Sequence, residues 1–481
     1  MTTGLNGTDT PSERVWGIPV PACAYALALV TALPIADDLL RIPVQVYDAL
    51  GEIIDASHAP GLGETFRAAT YNASYMRPFR IVQITALFNA AHGHYWLAYR
   101  GFHAALLVAV ILLFVRALRV RSRSDLLPAA FALAVLTGIH TFRTMVQEAF
   151  PINHFLEIAA FVLVTVNLCQ GRPHLWRDAV ALVTFCAAAL TLESGLLVWV
   201  TAIAAWLAGW RGVSARGLVV MSVLVAGYFG LRMTVSGVPA MAERGSGYFF
   251  ERLEPSEILA RFGDNPWRFR AYNVVSSFLS VPLAEPQGGL FAFTHALWRG
   301  RIPSGTAIAV AASLVTTVLM LRCAVAPVAA GPNVDFTRAM LWICAAVLAA
   351  SAAMSYAYTK DDIMSTAGVC YALAAYAAVR WWLARAGSMR APTRAALMLT
   401  VAVAGLGWSV RSVGIHHLAR SAAFKTRNDW AYQPVVWKAE GRWPQDHAEQ
   451  QLIERLRSEA IGMPVPNPRL QPEWMSEVWG E

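Results

Sequence analysis

Apolar residues along this chain come in long, nearly unbroken runs, with polar positions gathered into the segments between them. Runs of about 20 apolar residues predict helices that cross a bilayer. Eleven windows qualify, at 16–36, 94–115, 126–142, 155–170, 178–193, 194–210, 217–236, 304–321, 338–357, 363–383 and 393–411. The fifth and sixth share one apolar stretch interrupted by Glu193, which reads best as a tight helical hairpin. Two long polar segments, 37–93 and 237–303, and a tail from 412 complete the pattern.

Composition turns this pattern into a fold class. Of 481 residues, 56% are hydrophobic and 15% charged, against about 25% charged in an ordinary soluble domain. Single soluble cores stop growing near ~250–300 residues. The expectation is an all-α polytopic membrane protein of about 11 spans with interfacial helices in its outer loops. A multi-span domain over 1–411 carries the chemistry, and 412–481 forms a small outer tail. The first run, behind a short polar leader, reads as an uncleaved span.

The net charge of +8 is scattered between the apolar runs. A nucleic-acid binder gathers its excess on one face, so a nucleic-acid partner is not expected. The six cysteines lie mostly in or beside apolar runs without metal or redox spacing and read as small core residues. Arg116, Arg119, Arg121, Arg123, Arg172, Arg177, Arg211, Arg216, Arg380, Arg385, Arg390 and Arg394 all fall in loops on one side. Excess Arg marks the cytoplasmic side. The N-terminus is then cytoplasmic, the long loops and tail extracytoplasmic, and the expected location the inner (plasma) membrane.

Ionisable residues near spans are costly to keep there and point to function. Asp37 and Asp38 follow the first run directly. Arg143, Glu148 and His154 lie between the third and fourth, Glu193 at the outer end of the fifth, and Lys360, Asp361 and Asp362 between the ninth and tenth. All project to the outer face. A carboxylate there suits a general base acting on an acceptor hydroxyl. Ligation of a divalent cation by the pair with Glu148 or Asp361 stays open. Tyr75-Met76-Arg77-Pro78-Phe79-Arg80, then His92, His94, Arg100 and His103, offer cations for a phosphate. The 237–303 loop interleaves Arg268 and Arg270 with aromatics, as an interfacial element does. In the tail, Leu452, Ile453, Leu456 and Ile461 share a helical face, and Asn72-Ala73-Ser74 matches a glycosylation acceptor.

With these features together, the sequence resembles GT-C fold integral-membrane glycosyltransferases, in the branch with protein O-mannosyltransferase-like and related bacterial members. The acidic pair Asp37-Asp38, the Tyr75-Met76-Arg77-Pro78 element, His103, Thr191-Leu192-Glu193-Ser194 and Lys360-Asp361-Asp362-Ile363-Met364 carry the likeness, over about 16–384. It departs where Gly138-Ile139-His140 runs into Thr141 instead of a His-Pro pair. The resemblance implies hexosyl or pentosyl transfer, with inversion, from a polyprenyl-phosphate donor to a glycan, lipid or protein acceptor at the outer face. Asp37 or Asp38 would be the base. Arg77, Arg143 and Lys360 would bind the donor phosphate, and Glu148, His154, Glu193 and Asp361 the substrate. Two other readings use the same layout: an O-antigen polymerase or ligase, in which Arg268 and Arg270 matter more, and a transporter or flippase.

Overall fold

The computed structural model describes residues 13–71, 76–236, 247–248, 251–283, 294, 296–300, 304–326, 332–359, 361–464 and 467. In chain order the helices are α1 (Val20–Leu40), α2 (Asp48–Ser57), α3 (Leu62–Tyr71), α4 (Pro78–Ala91), α5 (Tyr95–Leu118), α6 (Leu126–Gly138), α7 (His140–Gln147), α8 (His154–Cys169) and α9 (Leu175–Thr191). They continue with α10 (Leu197–Leu207), α11 (Ala215–Ser236), α12 (Pro255–Phe262), α13 (Pro266–Leu283), α14 (Ser304–Val325), α15 (Pro332–Met354), α16 (Ser365–Ala386), α17 (Ala391–Ala439) and α18 (His447–Gly462). Strands are two residues long. β1 (Arg14–Val15) pairs with β2 (Ile18–Pro19). β3 (Gly247–Tyr248) lies antiparallel to β4 (Glu251–Arg252) and parallel to β5 (Tyr358–Thr359), tying the long second loop to the junction before α16.

The chain is an all-α, multi-pass membrane protein. Among the described residues seven helices are long and apolar enough to cross a membrane (α1, α5, α11 and α14 to α17), or eight if the pair α6–α7, bent by 62°, counts as one. That differs from eleven. The window at 155–170 falls on α8, of 16 residues, and that at 194–210 on α10, of 11. At 1.5 Å per residue these reach about 24 Å and about 16 Å, short of the ~30 Å hydrocarbon layer.

Hydrogen bonds between elements sort into two ends. At one end Arg123 donates to the Arg14 carbonyl, Arg119 to Gln170, Arg380 to Asp125 and Ser214 to Asp178. At the other, Gln45 N–H donates to Ala149 O, Arg77 to Glu193, Gln147 to Leu418 O and Trp96 N–H to Glu459. The arginines of the predicted cytoplasmic loops belong to the first end, and the predicted site residues to the second.

Packing centres on α16, whose residues from Ser365 to Val379 are all buried. The run Ala374-Ala375-Tyr376-Ala377-Ala378 is mostly small side chains, which let neighbouring helices approach closely where lipid gives no hydrophobic drive. Gly368 is one such contact, because a Cβ there would run into Thr141. The bend between α6 and α7 sits at extended Ile139, and the Gly138 carbonyl near it accepts Arg411 Nε at 2.8 Å. Helix α17 is 49 residues long, about 70 Å, so its second half outruns any bilayer. It crosses the expected domain boundary at 411/412 unbroken. Outside the span it joins a second apolar cluster with α2, α18 and Trp430, whose Nε1 donates to Val44 O at 2.7 Å. The α18 face is completed by Ala460, whereas Ile461 is exposed.

Candidate functional site

The last turn of α1 points its two carboxylates in different directions, because successive helical residues lie about 100° apart. Asp37 faces outward, its side chain 61% exposed, and pairs with Arg41 one turn on at 2.9 Å. Asp38 turns into the protein and meets α17. Its Oδ2 lies 2.5 Å from His416 Nδ1 and its Oδ1 accepts Arg420 Nε at 3.0 Å. His416 and Arg420 are four apart and so present one face to the acid. The predicted pair thus divides into one solvent-facing carboxylate and one buried, doubly held one.

Arg77 precedes Pro78 at the start of α4, where the proline opens the helix without needing its missing N–H. Its guanidinium grips Glu193 Oε2 through Nε at 3.1 Å and a terminal nitrogen at 2.7 Å. Glu193 begins the 3-10 turn Glu193–Leu196, which reverses the chain between α9 and α10 as the hairpin reading requires. Gly195 makes the reversal feasible, since a Cβ there would strike the Ala188 carbonyl. The other Glu193 oxygen accepts Arg232 of α11 at 2.9 Å, and Arg232 donates to Tyr228 Oη at 2.8 Å. Two arginines therefore share one carboxylate.

Beneath this lies a second polar layer. Arg80 pairs with Glu52, and Gln83 donates to Glu157 at 2.5 Å, with His154 3.9 Å from Glu157. Arg100 donates to the carbonyls of Glu148 and Phe150 and to His103 Nδ1, while His103 Nε2–H reaches Met145 O at 3.2 Å. The resulting neutral Nε2–H tautomer follows from those partners. Glu148 caps the segment by accepting Phe150 N–H. Burial, helped by the charge of Asp362, pushes Glu148 up to about 7, against the lowering pull of Phe150 N–H, Arg100 and Arg80.

The structure joins Arg77 to Glu193, and places Glu148 within electrostatic reach of Asp362 and Arg80. Arg143 bonds Gln147 at 3.0 Å on its own helix. Lys360, the side chain of Asp361 and the Asn72 acceptor lie outside the described residues. Among the described residues, His58, Asp446 and Glu449, where α2 ends and α18 begins, lie close enough together to share an ion, and the Asp361 side chain of the expected cation site falls outside the described residues. Sequence reasoning missed Arg232, Gln83, Glu157, His416 and Arg420, and offered Arg80 for a phosphate, whereas it pairs with Glu52. Glu157 and Arg232 did carry a signal, a lone charge inside an apolar run, and His416 with Arg420 had the four-residue spacing.

No family model, curated protein or solved structure matches this chain.

Proposed function

We propose that the protein is a GT-C type glycosyltransferase of the inner membrane, moving a hexosyl or pentosyl group from a polyprenyl-phosphate donor to an acceptor hydroxyl at the extracytoplasmic face. The observation that supports it most is the gathering of acids and cations from α1, α4, the Glu193 turn, α11 and α17 at one end of an otherwise apolar bundle. In this reading the bundle has eleven membrane segments, counting the short helices α8, α9 and α10. Asp37, the exposed member of the pair, is the general base. Asp38 fixes the end of α1 by binding α17. As the acceptor oxygen attacks the anomeric carbon from the face opposite the phosphate, its proton passes to Asp37 and the polyprenyl phosphate leaves with the bonding electrons. Arg77 and Arg232 converge on the Glu193 carboxylate from α4 and α11 and bring two guanidinium groups to the place where the phosphate would depart. Arg143 and Lys360 belong to the same reading, and Glu148, His154 and Asp361 to the substrate side.

A transporter places broken helices and polar groups at mid-membrane. Here the carbonyl beside the α6–α7 break is already taken by Arg411, and the acids lie at the bundle end, which favours one-sided chemistry. The test is transfer of labelled sugar from polyprenyl phosphate by the purified chain. Asp37→Asn should lower transfer by about 100-fold or more, the range of a lost general base. Arg268→Gln and Arg270→Gln should leave it within a few-fold. Equal rates for Asp37→Asn and the parent chain, or no transfer by the parent, would overturn the reading.

A further inference from the structure

Several arginines at the site end are paired with acids: Arg41, Arg77, Arg80, Arg232 and Arg420 each meet a carboxylate. At the opposite end, between the C-terminus of α5 and the start of α9, arginines are seated on neutral oxygens. Arg119 donates through Nε to Gln170 Oε1 at 2.6 Å and also to the Gln170 carbonyl. Arg177 donates to Leu168 O at 2.9 Å and stacks on Trp176, 5.0 Å from the ring centroid. Its guanidinium occupies the space a side chain at Gly171 would fill. Burial, together with the nearby charges of Arg121 and Arg177, lowers the Arg119 pKa from its usual range.

The acids next to this cluster are committed elsewhere. Asp125 receives the Arg121 and Ser122 N–H groups and the Arg380 guanidinium, and Asp178 receives Ser214 N–H and Oγ–H at 2.8 and 2.6 Å. Arg119 also holds a left-handed backbone, φ +53°, at a helix end where glycine is the usual occupant. Arg119 and Arg177 are thus held on neutral oxygens with Arg121 exposed nearby, and among the described residues none of the three side chains forms an ion pair. Beside them Leu175 and Trp176 are 81% and 49% exposed, an apolar flank with an interfacial aromatic.

We propose that Arg119, Arg121 and Arg177 form a binding site for the phosphate of an anionic phospholipid, whose chains lie against Leu175 and Trp176. Guanidinium forks suit a phosphodiester, and their positive charge repays its desolvation. A basic pocket between helices on the cytoplasmic side is where anionic lipid concentrates. The site lies at the end away from Asp37 and does not depend on sugar transfer.

The test uses the full chain in nanodiscs of phosphatidylcholine, with or without phosphatidylglycerol, reading Tm and the phosphatidylglycerol retained in native mass spectra. Phosphatidylglycerol should raise the Tm of the parent chain and of Arg390→Gln, an exposed arginine at the same end. Each of Arg119→Gln, Arg121→Gln and Arg177→Gln should weaken retention about five-fold. Gly171→Ala should also weaken it without changing charge, by displacing Arg177. Should the half-buried Arg119 and Arg177 variants fail to fold, Arg121→Gln carries the test, because that side chain is exposed. The proposal is overturned if Arg121→Gln retains phosphatidylglycerol as the parent does, or if inorganic phosphate in phosphatidylcholine discs raises the Tm equally.

Discussion

Asp37 and Asp38 are neighbours with opposite surroundings, so replacing each separates stability from chemistry. Removing the charge of Asp38 takes a buried acid from Arg420 and His416, whose side chains stay 40% and 27% exposed. Losing hydrogen bonds between charged groups costs about 1.5–3 kcal/mol, at the lower end here because solvent screens the cations left behind. Asp38→Asn should therefore lower the Tm of the purified chain and its yield in the membrane. Asp37→Asn loses only an exposed pair with Arg41, worth roughly 0–1 kcal/mol, and its Tm should stay near that of the parent. Equal losses for the two would contradict the division seen at the end of α1. Glu148 makes a second residue-scale case. Its folded pKa, about 7, stands above the ordinary carboxylate value of 4.5. The neutral form is thus favoured by folding, and that contribution is complete below about 4.5 and is lost as pH rises through about 7. Glu148→Gln should flatten the fall in Tm between those limits; an unchanged pH profile would show that Glu148 ionises in the fold without penalty.

Two glycines set the behaviour of elements. Gly195 lies where a side chain would strike the Ala188 backbone, which cannot move aside as a flexible side chain can. Gly195→Ala should open the α9–α10 hairpin, draw Glu193 away from Arg77 and Arg232, and lower the Tm by several degrees. Gly227, inside α11, faces open space. There Gly→Ala should stabilise by about 0.5–1 kcal/mol through helix propensity, so a matched fall in Tm for both would sink the steric account of Gly195. The hairpin was legible because a single Glu in a long apolar stretch cannot sit in mid-bilayer without cost. The continuation of α17 past residue 411 was not. Hydropathy reports where lipid ends, whereas the helix goes on until Ala439 because its outer half packs on α1, α18 and the 44–47 segment.

For the whole molecule, what the sequence reveals is what short-range pattern controls. Apolar runs locate most spanning helices, and alternation of those helices sorts charged loops to two ends. The pairings within the site depend on chain separation instead. Asp38 meets His416 across 378 residues and Arg77 meets Glu193 across 116, so no local spacing announces them. Alternation leaves one global choice, which end faces the cytoplasm, and electrostatics decides it. The end bearing Arg119, Arg121, Arg177, Arg211 and Arg390 should stay on the cytoplasmic side, since basic loops translocate poorly. Tyr47, next to the outer half of α17 and 51% exposed, then lies outside, and Leu175, 81% exposed, inside. In a chain with its native cysteines replaced, a single cysteine at 47 should react with a membrane-impermeant maleimide in intact cells, and one at 175 only after lysis. The reverse labelling would put Asp37 in the cytoplasm and remove the outer-face reaction with it, while leaving the arginine cluster as a lipid site on the other leaflet.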